Sequence, residues 1–300
     1  MIRQGETHNW GRGQAWRSSS TLVLAVASVG GLAAFLYPFL LPGLQQFSDE
    51  NAAHSGVAPL IFAGVTVLCL VAMLVTIAED HGGVARSKTV ALLGVLVAID
   101  ATLRLVPSLG GASPVFLLIM LVGTVFGASM GFQMGALTIL LSGFLTGGIG
   151  PWLPFQMLGA GWMGMTAGWL PRIESPRARL VMLALFGGVW GLLFGALMNI
   201  WFWPFTAPGA GADSSLYWTP GLSMAETVSR YTRFYLVTSL VFDAFRAIGN
   251  IVLVLALGGP VLRLLERYRS RFGWEPWEVM EASVESGDEV PDLRQSGPIP

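Results

Sequence analysis

Four charged residues stand where an apolar chain has least reason to keep them. Asp100 and Arg104 lie in one apolar run, 89–106, and Asp243 and Arg246 lie in another, 235–257. A charge at bilayer depth costs about 2.5–3.5 kcal/mol even on the lenient insertion scale, so each must face protein or water. Within each run an arginine sits three or four residues from a carboxylate, which favours the ionised acid and a structural ion pair. Asn250, one turn beyond Arg246, adds an amide to the same face. The same residues also suit a site in which one arginine stays free to hold a ligand's anionic or carbonyl group. A third chemistry, acid–base work in a membrane-embedded lipid-modifying enzyme, would have to use Asp100 or Asp243, the only intramembrane carboxylates.

The elements that must position these groups are membrane helices. The chain has 300 residues, 53% hydrophobic and only 12% charged, whereas soluble domains carry about 25% charge. Its mean hydropathy of +0.63 and helix-length apolar runs predict an all-α polytopic membrane bundle. Spans are expected at 21–44, 57–78, 89–106, 151–170, 180–203 and 235–257. The run 114–149 is too long for one crossing of about 20 residues. Dividing it near Gly131-Phe132-Gln133 gives spans at about 115–131 and 134–149, eight in all.

Basic residues test that division, because they gather in cytoplasmic loops. With eight spans and an inner N-terminus, Arg3, Arg12, Arg17, Arg86, Lys88, Arg172, Arg177, Arg179, Arg263, Arg267, Arg269, Arg271 and Arg294 face the cytoplasm, 13 of the 17 basic residues. A single crossing at 114–149 would move Arg172, Arg177, Arg179 and the Arg263–Arg271 cluster outside. Both termini are therefore expected in the cytoplasm of a multi-pass protein of the cell membrane. The first run has full span length and lacks a small-residue cleavage site, so it reads as retained rather than as a signal peptide. Residues 1–20 form a tail, and 270–300, with seven acids from Glu275 onward and one arginine, form an acidic disordered tail. Between Arg263 and Trp277 arginines alternate with leucine and aromatics, as suits a helix end at an anionic membrane surface.

Several classes drop out. No nucleotide-binding loop, metal spacing or Ser/His/Asp order is present, and the lone Cys69 forms no disulfide within the chain. His8, His54 and His81 fall in loops or the N-terminal tail. No nucleic-acid partner is expected. No inverted repeat of the kind many secondary transporters carry is apparent, although a standalone secondary transporter remains an alternative.

Glycines recur every fourth residue at Gly123, Gly127, Gly131 and Gly135, again at Ala160, Gly164 and Gly168, and at Gly187, Gly191 and Gly195. This spacing lets two helix backbones approach closely in lipid and predicts packing inside one bundle. Gly94 and Ala98 offer a similar small face on an otherwise bulky helix, suited to contact with a partner. The spans at 89–106 and 235–257 run antiparallel, with Asp100 deeper than Arg104 and Arg246 deeper than Asp243. That order permits Asp100–Arg246 and Arg104–Asp243 pairs, with depths mismatched by about 10 Å. Three outer loops are rich in Gly, Pro and aromatics: 104–114, the stretch "GGIGPWLPFQM" with Trp152, Phe155 and Gln156, and 201–221 with Trp201, Trp203, Tyr217 and Trp218. Such groups suit a lid over a planar organic ligand, with an interfacial aromatic belt as the alternative.

From Arg86 to Arg269 the chain resembles the substrate-binding S components of energy-coupling factor (ECF) vitamin transporters. The resemblance rests on six spans, the small face at Gly94 and Ala98, "GTVFGASMGFQMGALTILLSG" and "GPWLPFQM", a block closest to actinobacterial members. It implies a six-helix substrate-binding core at 86–269, preceded by two extra transmembrane helices at 21–80. It further implies a subunit, not an enzyme, that captures a vitamin-like molecule outside and docks on a membrane T component powered by two ATPases. ATP would be used by those partners, with no cofactor in this chain. Pocket residues are expected to be Arg104, Ser108, Trp152, Gln156, Asn199, Trp203, Arg246 and Asn250, with docking through Gly94 and Ala98. Arginines would hold anionic groups, amides read ring edges and tryptophans stack. A corrinoid such as cobalamin is the substrate expectation, because the loop 201–221 is long enough to edge a large site.

Overall fold

A computed structural model describes residues 22–36, 39, 64, 67, 68, 71, 84–106, 112–205, 214–219 and 221–271. The expected tail at 1–20, the expected tail at 270–300 beyond its first two residues, which are helical, most of the second extra span, Cys69, the three histidines and Ser108 lie outside them. The described elements are α1 (Leu22–Leu36), α2 (Val84–Leu103), α3 (Val115–Phe126), α4 (Ala128–Thr146), α5 (Leu153–Ala167), α6 (Pro176–Phe202), α7 (Met224–Thr238), α8 (Leu240–Leu253) and α9 (Gly259–Arg271). The helical membrane bundle expected from composition is what forms. Among the described residues, three segments are long and apolar enough to cross a bilayer unaided: Ala128–Thr146, Pro176–Phe202 and the continuous Leu240–Ser270.

The division of the run 114–149 falls at Gly127, not near Gly131–Gln133. Gly127 adopts φ 100°, a conformation open to glycine and strained for other residues. There the chain doubles back, and a Cβ added at Gly131 would lie 2.7 Å from Gly123 Cα. α3 is left 12 residues long, about 18 Å, with ten of its residues buried. Gly131 instead sits inside α4 against α5, where an added Cβ would meet the Gly164 carbonyl oxygen at 2.2 Å. A Cβ added at Gly135 would meet the Ala160 carbonyl oxygen at the same distance, and one added at Gly191 would lie 2.5 Å from Ala247 Cα of α8. The glycine seams are thus internal contacts: helices that gain nothing by leaving lipid gain dispersion by backbone proximity.

α1 joins this core. Trp162 Nε1 donates to Ser28 Oγ at 3.0 Å, and Phe35 meets Phe155 edge-on at 5.0 Å. On the far side, Val241, Phe245, Ile248 and Val252 are exposed along α8, and Leu255 just beyond its end, at three- and four-residue intervals. This stripe faces lipid.

The expected span 235–257 is differently divided. α7 ends at Thr238, so Tyr235 belongs to the preceding helix, and the last helix runs on through a π-turn at Val254–Gly258 into α9. α7 starts on a capping box: Ser223 Oγ accepts from Glu226 N at 3.3 Å, and the Glu226 carboxylate accepts from Ser223 N at 3.0 Å. The Ser223 hydroxyl and amide hold the exposed Glu226 carboxyl below its usual range. A depressed folded-state value means the cap contributes above the unfolded glutamate value of about 4.3 and is lost as pH falls through the lower folded one. Hydrogen exchange at the α7 N-terminus is expected to quicken across that acid window in the wild type, and Glu226→Gln to remove the pH dependence.

Candidate functional site

Arg104 follows directly on the end of α2. Its guanidinium reaches across to two other helices: Nη1 donates to Ser142 Oγ of α4 at 2.8 Å and Nη2 to Gln156 Oε1 of α5 at 3.1 Å. Ser142 in turn donates to the Ile139 carbonyl at 3.0 Å. Both partners of Arg104 are neutral, and no carboxylate pairs with it among the described residues. Its positive charge is therefore fixed in place and not neutralised. One turn earlier, Asp100 is fully buried, and Thr138 stands beside it one turn before Ser142. Neither Asp100 oxygen nor the Thr138 hydroxyl has a hydrogen-bond partner. The polar groups of α2 and α4 thus form two layers, about 6 Å apart for a four-residue step.

The glycine-rich turn that follows α4 closes this end. Gly147 ends the helix at φ 66°, and Pro154 lies in the first turn of α5, where its missing N–H costs nothing. The sequence therefore reverses direction within a few residues and carries Gln156 back beneath Arg104. Trp152 is 41% exposed, and its Nε1 donates to the Gly148 carbonyl at 3.0 Å.

A second polar cluster lies between α6 and α8. Arg246 is ion-paired with Asp243 on its own helix, donates Nη1 to the Gly191 carbonyl at 3.3 Å and lies 5.7 Å from the Phe194 ring centroid. Asn250 donates Nδ2 to the Gly187 carbonyl at 2.9 Å, while its Oδ1 is buried without a partner. The cross-helix pairs permitted by span order, Asp100–Arg246 and Arg104–Asp243, do not form. Arg246 finds its carboxylate one turn away, Arg104 is held by α4 and α5, and Asp100 is left unpaired.

The expected pocket residues accordingly divide. Arg104 and Gln156 meet, with Trp152 in the turn above them. Arg246 and Asn250 share the α6–α8 cluster. Asn199 is half-buried in the last turn of α6 and accepts from the Trp203 backbone N–H. Trp203 is fully buried: its Nε1 donates to the Leu216 carbonyl at 2.9 Å, and its ring packs on Tyr231 and Phe234 of α7. Ser108 is outside the described residues. Gly94 and Ala98 are exposed on α2, and a Cβ added at Gly94 would meet nothing within 4 Å.

Sequence reasoning passed over Ser142 and Thr138. They are the only polar side chains in "GALTILLSG" and stand four residues apart, so one helix face was the available signal. It also passed over the joint between Arg179 of α6 and Glu266 of α9, an ion pair that closes the opposite end of the bundle.

Comparison with known proteins returns one family. The model of the ECF transporter, substrate-specific component, matches residues 88–258, more than half of the chain. No curated protein and no solved structure matches it. The matched segment runs from the start of α2 through the π-turn after α8, and so holds both polar clusters. This is a transporter family rather than an enzymatic one, and its members bind small molecules and work with T and ATPase subunits. The chain belongs to the substrate-specific membrane components of the ECF transporters.

Proposed function

We propose that this chain captures a vitamin or related micronutrient at the extracytoplasmic side of the cell membrane and delivers it through a T component driven by two ATPases. Arg104 carries the reading. A guanidinium tied by two neutral groups at the loop-bearing end of α2 suits a ligand carboxylate, phosphate or carbonyl. Gln156 adds an amide, and Trp152 a flat apolar face for a ring. The 201–221 loop supports a large ligand, and a corrinoid such as cobalamin is the substrate proposed. ATP is consumed by the partner subunits, with no cofactor in this chain. The exposed Gly94–Ala98 face of α2 is proposed to dock on the T component, and both termini to lie in the cytoplasm.

The test is calorimetric titration of the purified full chain in detergent against a panel of vitamins that includes cobalamin. Submicromolar binding of one member is expected; no binding by any of them sinks the proposal. For the ligand found, Arg104→Ala is expected to weaken binding about tenfold or more, the usual scale for a lost charge-assisted hydrogen bond. Arg104→Lys should recover only part of it, because an ammonium cannot reproduce the planar fork. Unchanged affinity in Arg104→Ala would remove that residue from the site.

A further inference from the structure

The end of the bundle opposite Arg104 holds a cleft of about 300 Å³. Its walls come from α3, the turn between α3 and α4, the loop after α5, the start of α6 and α9, and include Phe126, Gly127, Arg172, Arg179, Glu266 and Arg269. Three arginines face one glutamate. Arg179 is taken by Glu266, while Arg172 and Arg269 are exposed and have no carboxylate partner among the described residues. Gly127 also begins α4, whose N-terminus has no side-chain cap, so the positive end of that helix opens at the cleft as well.

The surroundings say which anion fits. Val125, Leu170 and Ile173 line the same cleft as the arginines, so its lining is partly apolar and partly cationic. Trp169 and Tyr268, neighbours of the lining residues Gly168 and Arg269, are 66% and 47% exposed. Exposed tryptophan and tyrosine at a helix end mark the level where headgroups meet acyl chains. This is also the end to which the distribution of basic residues assigns the cytoplasmic leaflet. A soluble anion needs the cations alone, whereas a lipid uses both the cationic and the apolar lining.

We infer that this cleft binds the phosphodiester headgroup of an anionic phospholipid of the inner leaflet, with Arg172 and Arg269 as its ligands and the Arg179–Glu266 pair holding α6 to α9 around it. The site is independent of the outer ligand pocket, so either can fail without the other.

The experiment uses the full chain in nanodiscs of phosphatidylcholine alone or mixed with phosphatidylglycerol, released into native mass spectrometry to count retained lipids. The wild type is expected to keep phosphatidylglycerol in preference to phosphatidylcholine. The double variant R172A/R269A should lose that preference about tenfold or more, and R172K/R269K should keep most of it. Melting temperatures of both variants in detergent check that the fold survives, since neither residue takes part in the α6–α9 pair. Equal retention of the two lipids by the wild type, or an unchanged preference in R172A/R269A, overturns the inference. Inorganic phosphate raising the melting temperature as much as phosphatidylglycerol does would overturn the lipid in favour of a soluble anion. Protection of the cleft only when T and ATPase subunits are added, with no lipid preference, would assign it to protein docking instead.

Discussion

Asp243→Asn is expected to destabilise the protein by about 3–5 kcal/mol, the scale seen when one member of a buried ion pair is removed. The substitution keeps the shape of the side chain and deletes only its charge. Arg246 would then remain between α6 and α8 with the amide oxygen at position 243, the Gly191 carbonyl and the Phe194 ring as its contacts, and none of them supplies a negative charge. Space is not the issue, because Gly195 already makes room for the carboxylate: a Cβ there would lie 1.9 Å from Asp243 Oδ1. The same chemical change at Asp100 should act in the opposite direction. Asp100 is as deeply buried but has no cation, only the Thr138 hydroxyl beside it, so Asp100→Asn removes a carboxylate that lacks an ion-pair partner and is expected to stabilise by about 1–3 kcal/mol. Thermal unfolding of the two variants in one detergent compares them directly. Shifts of the same sign would show that pairing does not decide the cost of these carboxylates.

Gly164→Ala carries the second large effect. The new methyl would lie 2.0 Å from the Gly131 carbonyl oxygen and 2.5 Å from its carbon, and backbone cannot rotate away as a side chain can. α4 and α5 must separate, losing dispersion along the whole seam. Overpacking costs about 1–3 kcal/mol where side chains can yield, and a backbone clash belongs at or above the top of that range. Gly94→Ala is the matched control. Its methyl meets nothing within 4 Å, and alanine is favoured over glycine inside a helix by about 1 kcal/mol. Melting temperature and gel-filtration profile should fall and broaden for Gly164→Ala and hold or improve for Gly94→Ala. Equal losses in both would mean that helix propensity, not backbone proximity, explains the seam.

The proposed capture site and the inner cleft place opposite demands on arginine. Arg104 is tied by two neutral side chains and, in the proposed site, keeps its charge for a ligand, whereas Arg179 is neutralised by Glu266 and joins α6 to α9. Arg246 belongs with Arg179 in this respect. Of the residues expected to line a pocket, Arg104 and Gln156 are brought into contact, while the ring of Trp203 packs on α7.

The amino-acid sequence by itself determined the helical membrane class, the need for a reversal within 114–149 and the glycine spacing of the seams. These follow from one-dimensional rules: bilayer thickness sets the length of an apolar run, and four-residue spacing puts small side chains on one face. Tertiary structure decided which glycine turns the chain. Gly127 and Gly131 are alike in sequence, but Gly131 is needed against Gly164, so the turn falls to its neighbour. It also decided the partners of the buried charges, because span order limits depth while the rotation of each helix about its axis is set by packing. Asp243 and Arg246 pair along one helix, Arg104 reaches Ser142 and Gln156 from helices 38 and 52 residues further along the chain, and Asp100 is left without a cation. Contacts at that separation depend on how neighbouring backbones approach one another, which no local pattern of residue types encodes.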